Sequence, residues 1–135
     1  TKVAEFAAAA NAGARFAVSP GLTPALAEAG RKAPFPYLPG AITPSEVMVA
    51  RDAGYSTLKF FPCKAAGGTG ALNMLAPVFS DVVFCPTGGL TADDFRDYLA
   101  TSNVIAAGGT WMMPKDALAK KDWAAVTKAA KACLA

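Results

Sequence analysis

Short apolar segments alternate with helix-favouring segments along the whole chain. Each apolar run is followed by a turn rich in glycine or proline and then by a stretch of helical composition. The runs lie at residues 14–18, 35–38, 57–61, 82–85 and 104–107. Five successive strand–helix units, preceded by a helix over residues 2–11, predict an α/β protein with a parallel sheet.

Capping residues mark the starts of the predicted helices. Thr23-Pro24 and Thr43-Pro44 combine an N-cap side chain with a proline suited to the first helical turn. The first of these helices is expected to run to about Arg31, and the second to stop at Gly54. Further helices are predicted at residues 69–78, from 91–94 onward with two acids in the first turn, and at 115–119 and 122–133.

One charge interrupts this apolar pattern. Lys59 lies within Thr57-Leu58-Lys59-Phe60-Phe61-Pro62, a run that otherwise is typical of a buried strand. An amine in an apolar site loses solvation of its charged form, so its pKa falls and the free amine can attack a carbonyl carbon. The alternative is an edge strand, in which the stem of Lys59 covers apolar surface and its ammonium lies in water.

Two glycine-rich turns suggest a site for an anion. Pro86-Thr87-Gly88-Gly89 and Gly108-Gly109-Thr110 each follow a short apolar run directly. Glycine can adopt positive φ and lets the backbone approach a ligand, so successive N–H groups can converge on a phosphate. Tight turns are the simpler use of a glycine pair, but two such turns on consecutive strands favour a phosphate site.

The composition fits one globular domain over residues 1–135. The hydrophobic fraction is 53%, and 13 basic against 10 acidic residues leave a net charge of +3, which does not indicate nucleic-acid binding. Glycine, proline or charge interrupts every apolar stretch before it reaches membrane-spanning length. The chain is therefore expected to be a soluble protein without nucleic-acid or membrane partners.

The reactive side chains that are missing narrow the chemistry. The chain has no histidine, which removes imidazole as a metal ligand or general base. The three cysteines, Cys63, Cys85 and Cys133, are widely spaced and are expected to be free thiols in a reducing compartment. Acid–base work must fall to carboxylates, lysine, tyrosine, cysteine or water.

Several of these motifs, in this order, resemble the 2-keto-3-deoxy-6-phosphogluconate aldolase family, which also includes 4-hydroxy-2-oxoglutarate aldolases. The similarity extends over essentially the whole chain. The runs that carry it are Phe16-Ala17-Val18-Ser19-Pro20-Gly21, Leu38-Pro39-Gly40, Leu58-Lys59-Phe60-Phe61-Pro62, Phe84-Cys85-Pro86-Thr87-Gly88-Gly89 and Gly108-Gly109-Thr110-Trp111.

The resemblance implies a (β/α)8 TIM barrel and a class I aldolase, an aldehyde-lyase of carbohydrate metabolism in the Entner-Doudoroff pathway. Lys59 would be the Schiff-base lysine, which makes a metal or organic cofactor unnecessary. The substrate would be a 2-keto-3-deoxy sugar acid phosphate, and the enzyme a cytoplasmic homotrimer. The residues implied to line the substrate and phosphate end of the pocket are Pro20, Phe61, Thr87, Gly88, Gly89, Gly108, Gly109 and Thr110.

The chain departs from that family at its beginning. Its five strands resemble barrel strands four to eight, and nothing matches strands one to three, which in the family supply a glutamate acid–base and a carboxylate-binding arginine. We therefore expect this to be the C-terminal part of a longer polypeptide, since five parallel strands cannot close a barrel. Within the chain Glu46 lies near a strand end, but its position after Thr43-Pro44 favours helix capping.

Two other interpretations of the sequence stay open. The glycine turns could belong to a non-catalytic phosphate-binding α/β module in which Lys59 only attracts the anion. Alternatively, the chain could be an assembly fragment whose apolar surface meets other subunits. Trp111 and Trp123 are interpreted as core or interface aromatics rather than as substrate platforms.

Overall fold

The computed structural model describes residues 1–134, in which five short parallel strands alternate with helices. The strands are β1 (Ala17–Val18), β2 (Tyr37–Leu38), β3 (Gly40–Ala41), β4 (Thr57–Phe60) and β5 (Val83–Pro86). The helices are α1 (Ala4–Asn11), α2 (Pro24–Lys32), α3 (Pro44–Asp52), α4 (Gly68–Leu75), α5 (Phe95–Leu99), α6 (Lys115–Ala119) and α7 (Trp123–Ala132), and a 3-10 helix covers Lys64–Ala66. None of these helices combines the length and the apolar composition needed to cross a membrane.

The strands lie side by side in the order in which they occur along the chain. β1 pairs with β2, and β3, β4 and β5 form a three-stranded sheet, with every pair parallel. β2 and β3 are two halves of one extended segment, because the predicted strand does not end at Pro39-Gly40 but continues to Ala41. This sequential order is that of a singly wound barrel, whereas a doubly wound sheet reverses its order at a switch point.

One face of the three-stranded sheet forms the hydrophobic core. Leu58 and Phe60 of β4 and Phe84 of β5 are almost completely buried, and the Phe60 and Phe84 rings meet edge to face at 5.9 Å between centroids. Helix side chains complete this cluster, among them Val47 of α3 and Leu72 of α4. The alternate residues of β4 and β5 are half-buried, so their opposite face is the more accessible one.

The fifth predicted strand, at residues 104–107, is not a regular strand. Two isolated parallel bridges, Phe84 to Val104 and Thr87 to Gly108, connect this segment to β5. The three residue steps from Phe84 to Thr87 are thus matched by four from Val104 to Gly108. The extra residue interrupts the ladder in the manner of a bulge, which the apolar pattern alone does not show.

Two predicted helices differ from the prediction by three or more residues at one end. The helix expected at residues 69–78 covers Gly68–Leu75. The helix expected to begin near residue 91 starts at Phe95, so Asp93 and Asp94 precede it rather than occupy its first turn. The Asp94 carboxylate instead accepts the backbone N–H of Thr91 at 2.7 Å, which closes a turn before the helix.

The start of α3 confirms the predicted capping box. Thr43 Oγ1 accepts the N–H of Glu46 at 3.2 Å, and the Glu46 carboxylate accepts the N–H groups of Thr43 and Ile42 at 2.9 and 2.8 Å. These backbone hydrogen bonds, chiefly that from Thr43, lower the pKa of Glu46. Glu46 therefore stabilises the fold at neutral pH, and this contribution is lost as the pH falls through its lowered pKa.

Replacing Thr43 by alanine is expected to lower the free energy of unfolding by about 1 kcal/mol, because the N–H of Glu46 loses its acceptor. Urea denaturation at neutral pH measures the loss. The matched control is Ser45→Ala, since Ser45 is exposed in the first turn of the same helix and is not the capping residue. An equal loss in both variants would contradict the specific role of the Thr43 cap.

Candidate functional site

Lys59 lies in the middle of the three-stranded sheet. β4 pairs on one side with β3, where Gly40 is the register partner of Lys59, and on the other side with β5, where the partner is Cys85. The edge-strand alternative for Lys59 is therefore wrong. Because register partners in a sheet project to the same face, Lys59 has a residue without a side chain on one side and a thiol on the other.

The surroundings of the Lys59 amine are apolar. Burial lowers its pKa, and the neighbouring Cys85 opposes this effect by a smaller amount. The Nζ atom lies 4.2 Å from the centroid of the Phe61 ring, two residues along the same face. Burial also raises the pKa of Cys85, so the thiol is neutral at physiological pH and leaves Lys59 without a fixed anion there.

Gly40 explains how the backbone closes around this position. A Cβ atom built on Gly40 would lie 2.2 Å from the carbonyl oxygen of Pro20 and 2.7 Å from the nitrogen of Gly21. Ser19 stabilises the turn after β1. It is a buried residue whose Oγ lies 2.6 Å from the Tyr37 hydroxyl. Pro20, a predicted site residue, thus packs through its backbone against the strand next to Lys59.

The turn after β5 adopts the backbone conformation that the sequence predicts for an anion site. Gly88 and Gly89 have φ angles of +99° and +87°. A Cβ atom on Gly88 would lie 3.1 Å from the Phe61 ring, so this turn contacts the side chain that also covers the Lys59 amine. Within residues 1–134 the N–H groups of Gly88 and Gly89 donate to no backbone carbonyl, which leaves them available to a ligand.

The second glycine turn lies directly beside the first. Gly108 bridges to Thr87, and its N–H donates to the Pro86 carbonyl at 2.9 Å. Gly108 and Gly109 do not have the positive φ that the sequence suggests for these turns. Close packing requires them instead, since a Cβ atom on Gly108 would lie 2.7 Å from Thr87 Oγ1.

An ion pair fastens the segment after β4 to the turn after β5. Lys64 Nζ lies 2.7 Å from the Asp94 carboxylate, and the Lys64 N–H donates to the Gly88 carbonyl at 3.1 Å. The N–H of Cys63 donates to the Thr87 carbonyl at 2.8 Å in the same region. These contacts place the end of the Lys59 strand and the first glycine turn in a fixed relation to each other.

The structure thus places three predicted residues side by side, because Phe61 contacts both the Lys59 amine and the turn at Gly88. Sequence analysis missed Gly40 and Cys85 as neighbours of Lys59, although both belong to runs that carry the family resemblance. The register of three strands is needed to find them. In the part of the chain that the structure describes, no group of three or more cysteine, aspartate or glutamate side chains could hold a metal ion.

The site combines a parallel α/β fold, a lysine with a lowered pKa on a central strand and two adjacent glycine turns. Together these features define a candidate site on a barrel-like sheet in which a lysine does the chemistry. A sequence model of KDPG and KHG aldolases, the enzymes of 2-keto-3-deoxy-6-phosphogluconate and 4-hydroxy-2-oxoglutarate, matches residues 2–129. The chain belongs to this family.

Curated relatives agree with this assignment. The chain is 46% identical over 127 residues to a KHG/KDPG aldolase of Escherichia coli K12. The aligned region covers 94% of this chain and 60% of that protein. It is 42% identical over 135 residues to a 2-dehydro-3-deoxy-phosphogluconate aldolase of Dickeya dadantii, of which it covers 63%. The chain therefore spans about three-fifths of the length of these relatives.

Solved structures show the same backbone arrangement. The chain superimposes with a TM-score of 0.90, at 41% identity, on a KDPG aldolase of Legionella pneumophila with pyruvate captured as a covalent carbinolamine intermediate, covering 95% of this chain and 62% of that one. A 2-keto-3-deoxy-6-phosphogluconate aldolase of Zymomonas mobilis with 3-phosphoglycerate gives a TM-score of 0.90 at 37% identity, over 98% of this chain and 62% of that one. The fold is α/β and TIM-barrel-like.

Proposed function

We propose that residues 1–135 form strands four to eight of a single (β/α)8 barrel that works as a class I aldolase. Its reaction is the cleavage of 2-keto-3-deoxy-6-phosphogluconate to pyruvate and glyceraldehyde 3-phosphate. A second reaction is the cleavage of 4-hydroxy-2-oxoglutarate to pyruvate and glyoxylate. The observation that carries this proposal is Lys59, whose half-buried amine has a lowered pKa on the central strand of the sheet.

Schiff-base chemistry fits the surroundings of this amine. The free amine of Lys59 attacks the C2 ketone, water leaves, and the iminium ion draws electrons from the C3–C4 bond as that bond breaks and the C4 hydroxyl gives its proton to a carboxylate. The aldehyde product departs, and the enamine that remains takes up a proton at C3 before water releases pyruvate. The carbinolamine captured in the Legionella pneumophila relative is the first intermediate of this sequence.

The two glycine turns are suited to the phosphate end of the substrate. Gly88 and Gly89 offer backbone N–H groups, and the bridge from Thr87 to Gly108 places the second turn next to them. Phe61 lies between this region and the Lys59 amine and would contact the carbon chain. A relative that holds 3-phosphoglycerate supports a phosphate-bearing ligand. Thr87, Gly109 and Thr110 complete the proposed lining, with Pro20 beside β3.

The remaining barrel strands are proposed to precede this chain in the complete enzyme. The relatives are longer than the chain by about two-fifths of their own length. The two ends of the strand series also expose apolar side chains, since Phe16 and Ile105 are 64% and 59% exposed. Strands one to three would cover both ends and supply the acid–base carboxylate. A homotrimer in the cytoplasm completes the proposal.

Trapping with pyruvate and borohydride, applied to the complete enzyme, tests the proposed function. Condensation of the Lys59 amine with the pyruvate ketone releases water, and hydride addition at C2 makes the bond permanent. We expect peptide mapping to find the reduced-pyruvate adduct on Lys59, while exposed Lys32 and Lys64 stay unmodified. A protein that binds inorganic phosphate but forms no adduct would instead be the non-catalytic binding module.

The lowered pKa of Lys59 predicts a distinct pH profile. Because burial disfavours the charged amine, its reactive fraction should rise at a lower pH than that of an ordinary lysine. Trace labelling with acetic anhydride across a pH series, followed by peptide mapping, measures this. Lys64 is the internal control, because its hydrogen bond to Asp94 raises its pKa and delays its labelling to higher pH. Coincident profiles for the two lysines would contradict an activated Lys59.

A further inference from the structure

The side chain of Trp111 packs directly on the second glycine turn. A Cβ atom built on Gly109 would lie 1.8 Å from Cζ3 and 2.1 Å from Cε3 of the Trp111 ring. The six-membered ring of the indole therefore occupies the space that any other residue at position 109 would need for its side chain. The glycine is required by the tryptophan, since Gly109 does not have a positive φ.

The ring is itself held in place from behind. It stacks on Phe95 of α5 with centroids 5.2 Å apart and an angle of 28° between the planes. Its Nε1–H donates to Cys133 Sγ at 3.2 Å, directly after α7, and the Cys133 thiol donates to the Ala129 carbonyl at 3.4 Å. Contacts from α5 and from the end of α7 therefore determine the position of the indole.

The turn lies between two fixed neighbours. On one side Gly108 is bridged to Thr87 of the first glycine turn, and on the other side the indole of Trp111 contacts Gly109. In the described residues the N–H groups of Gly109 and Thr110 donate to no backbone carbonyl. Glycine backbones are the least restricted of all, so free donors in such a turn bind an anion well only if something else holds them in place.

We propose that Trp111 is the positioning residue for phosphate binding at the Gly108-Gly109-Thr110 turn. This inference rests on the proposed function and assigns the indole a role in affinity for the phosphate end of the substrate. Trp111 does not touch the reacting carbon atoms in this assignment. The pyruvate end, at Lys59, is served by other contacts. A purely structural role would instead affect both ends of the substrate alike.

The test compares Trp111→Leu with Trp111→Phe. We expect Trp111→Leu to weaken binding of inorganic phosphate by about tenfold, because the leucine side chain leaves the turn free to relax. Trp111→Phe keeps an aromatic ring and should lose only about threefold. Pyruvate trapping on Lys59 should change less than about twofold in both variants. The control is Trp123→Phe, since Trp123 is 61% exposed and lies outside the buried core.

Each outcome decides the proposal. Equal losses of phosphate binding and pyruvate trapping would show that Trp111 only supports the fold, and unchanged phosphate binding in Trp111→Leu would overturn the assignment. A wild-type protein without measurable phosphate affinity would also overturn it. Failure of pyruvate trapping in the wild type would refute the aldolase function while the phosphate measurement still decides the role of Trp111.

Fluorescence gives a second readout that does not depend on turnover. The chain has two tryptophans, so Trp111 is the only one left in the Trp123→Phe variant. Its emission should change as inorganic phosphate is added and saturate with the affinity found by direct binding. Pyruvate alone should leave the emission unchanged. An emission that ignores phosphate while phosphate binds would contradict contact between the indole and the anion-binding turn.

Discussion

Replacing Lys59 by methionine is expected to abolish pyruvate trapping and to lower kcat by at least ~10³-fold, because no iminium ion can form without the amine. Methionine is of similar length and fills the half-buried position without a charge, so the fold should keep its stability. Circular dichroism and urea denaturation verify that the variant is folded. The rate of pyruvate release in an aldol-cleavage assay then gives the kcat of the variant.

Lys59→Arg is the more demanding version of this experiment. Arginine keeps a positive charge that can lie over the Phe61 ring, but its guanidinium stays protonated and cannot act as a nucleophile. It should therefore be as inactive as methionine. The matched control is Lys32→Met, which removes an exposed lysine of α2 and leaves the Lys59 amine untouched. Trapping of pyruvate on a different lysine in the Lys59 variants would refute the assignment.

The parts of the fold that local chemistry determines could be predicted from the sequence. Thr23 and Thr43 cap α2 and α3 where the Thr-Pro pairs predicted them, because the cap, the proline and the first turn are all within four residues. The presence of a charged residue, Lys59, within an apolar run can also be read from the sequence. Both signals depend on neighbours along the chain, which the sequence lists directly.

Features that depend on contacts between distant segments could not be predicted in the same way. The bulge that interrupts the ladder at residues 104–108 depends on how this segment aligns with β5. One sequence does not show why position 109 is a glycine. The reason is the ring of Trp111, which occupies the space that a Cβ atom would need. Cys85 and Gly40 become neighbours of Lys59 only through strand register.

Gly40→Ala is expected to have the largest effect on stability among glycine substitutions near the site. The new Cβ atom would lie 2.2 Å from the Pro20 carbonyl oxygen and 2.3 Å from its carbonyl carbon, and backbone atoms cannot rotate away as a side chain can. Either β3 or the turn after β1 must move. We expect the free energy of unfolding to fall by about 3 kcal/mol, measured by urea denaturation.

The same displacement should reach the chemistry, because Gly40 is the register partner of Lys59. A shift of about 1 Å at the reacting amine is enough to slow pyruvate trapping by ~10²-fold. Gly21→Ala is the matched control, since a Cβ atom at that position would meet nothing within 4 Å although Gly21 lies in the same turn. If Gly40→Ala were as stable and as reactive as Gly21→Ala, the close approach of the Pro20 turn to β3 would be wrong, and so would the argument that this contact keeps Lys59 in place.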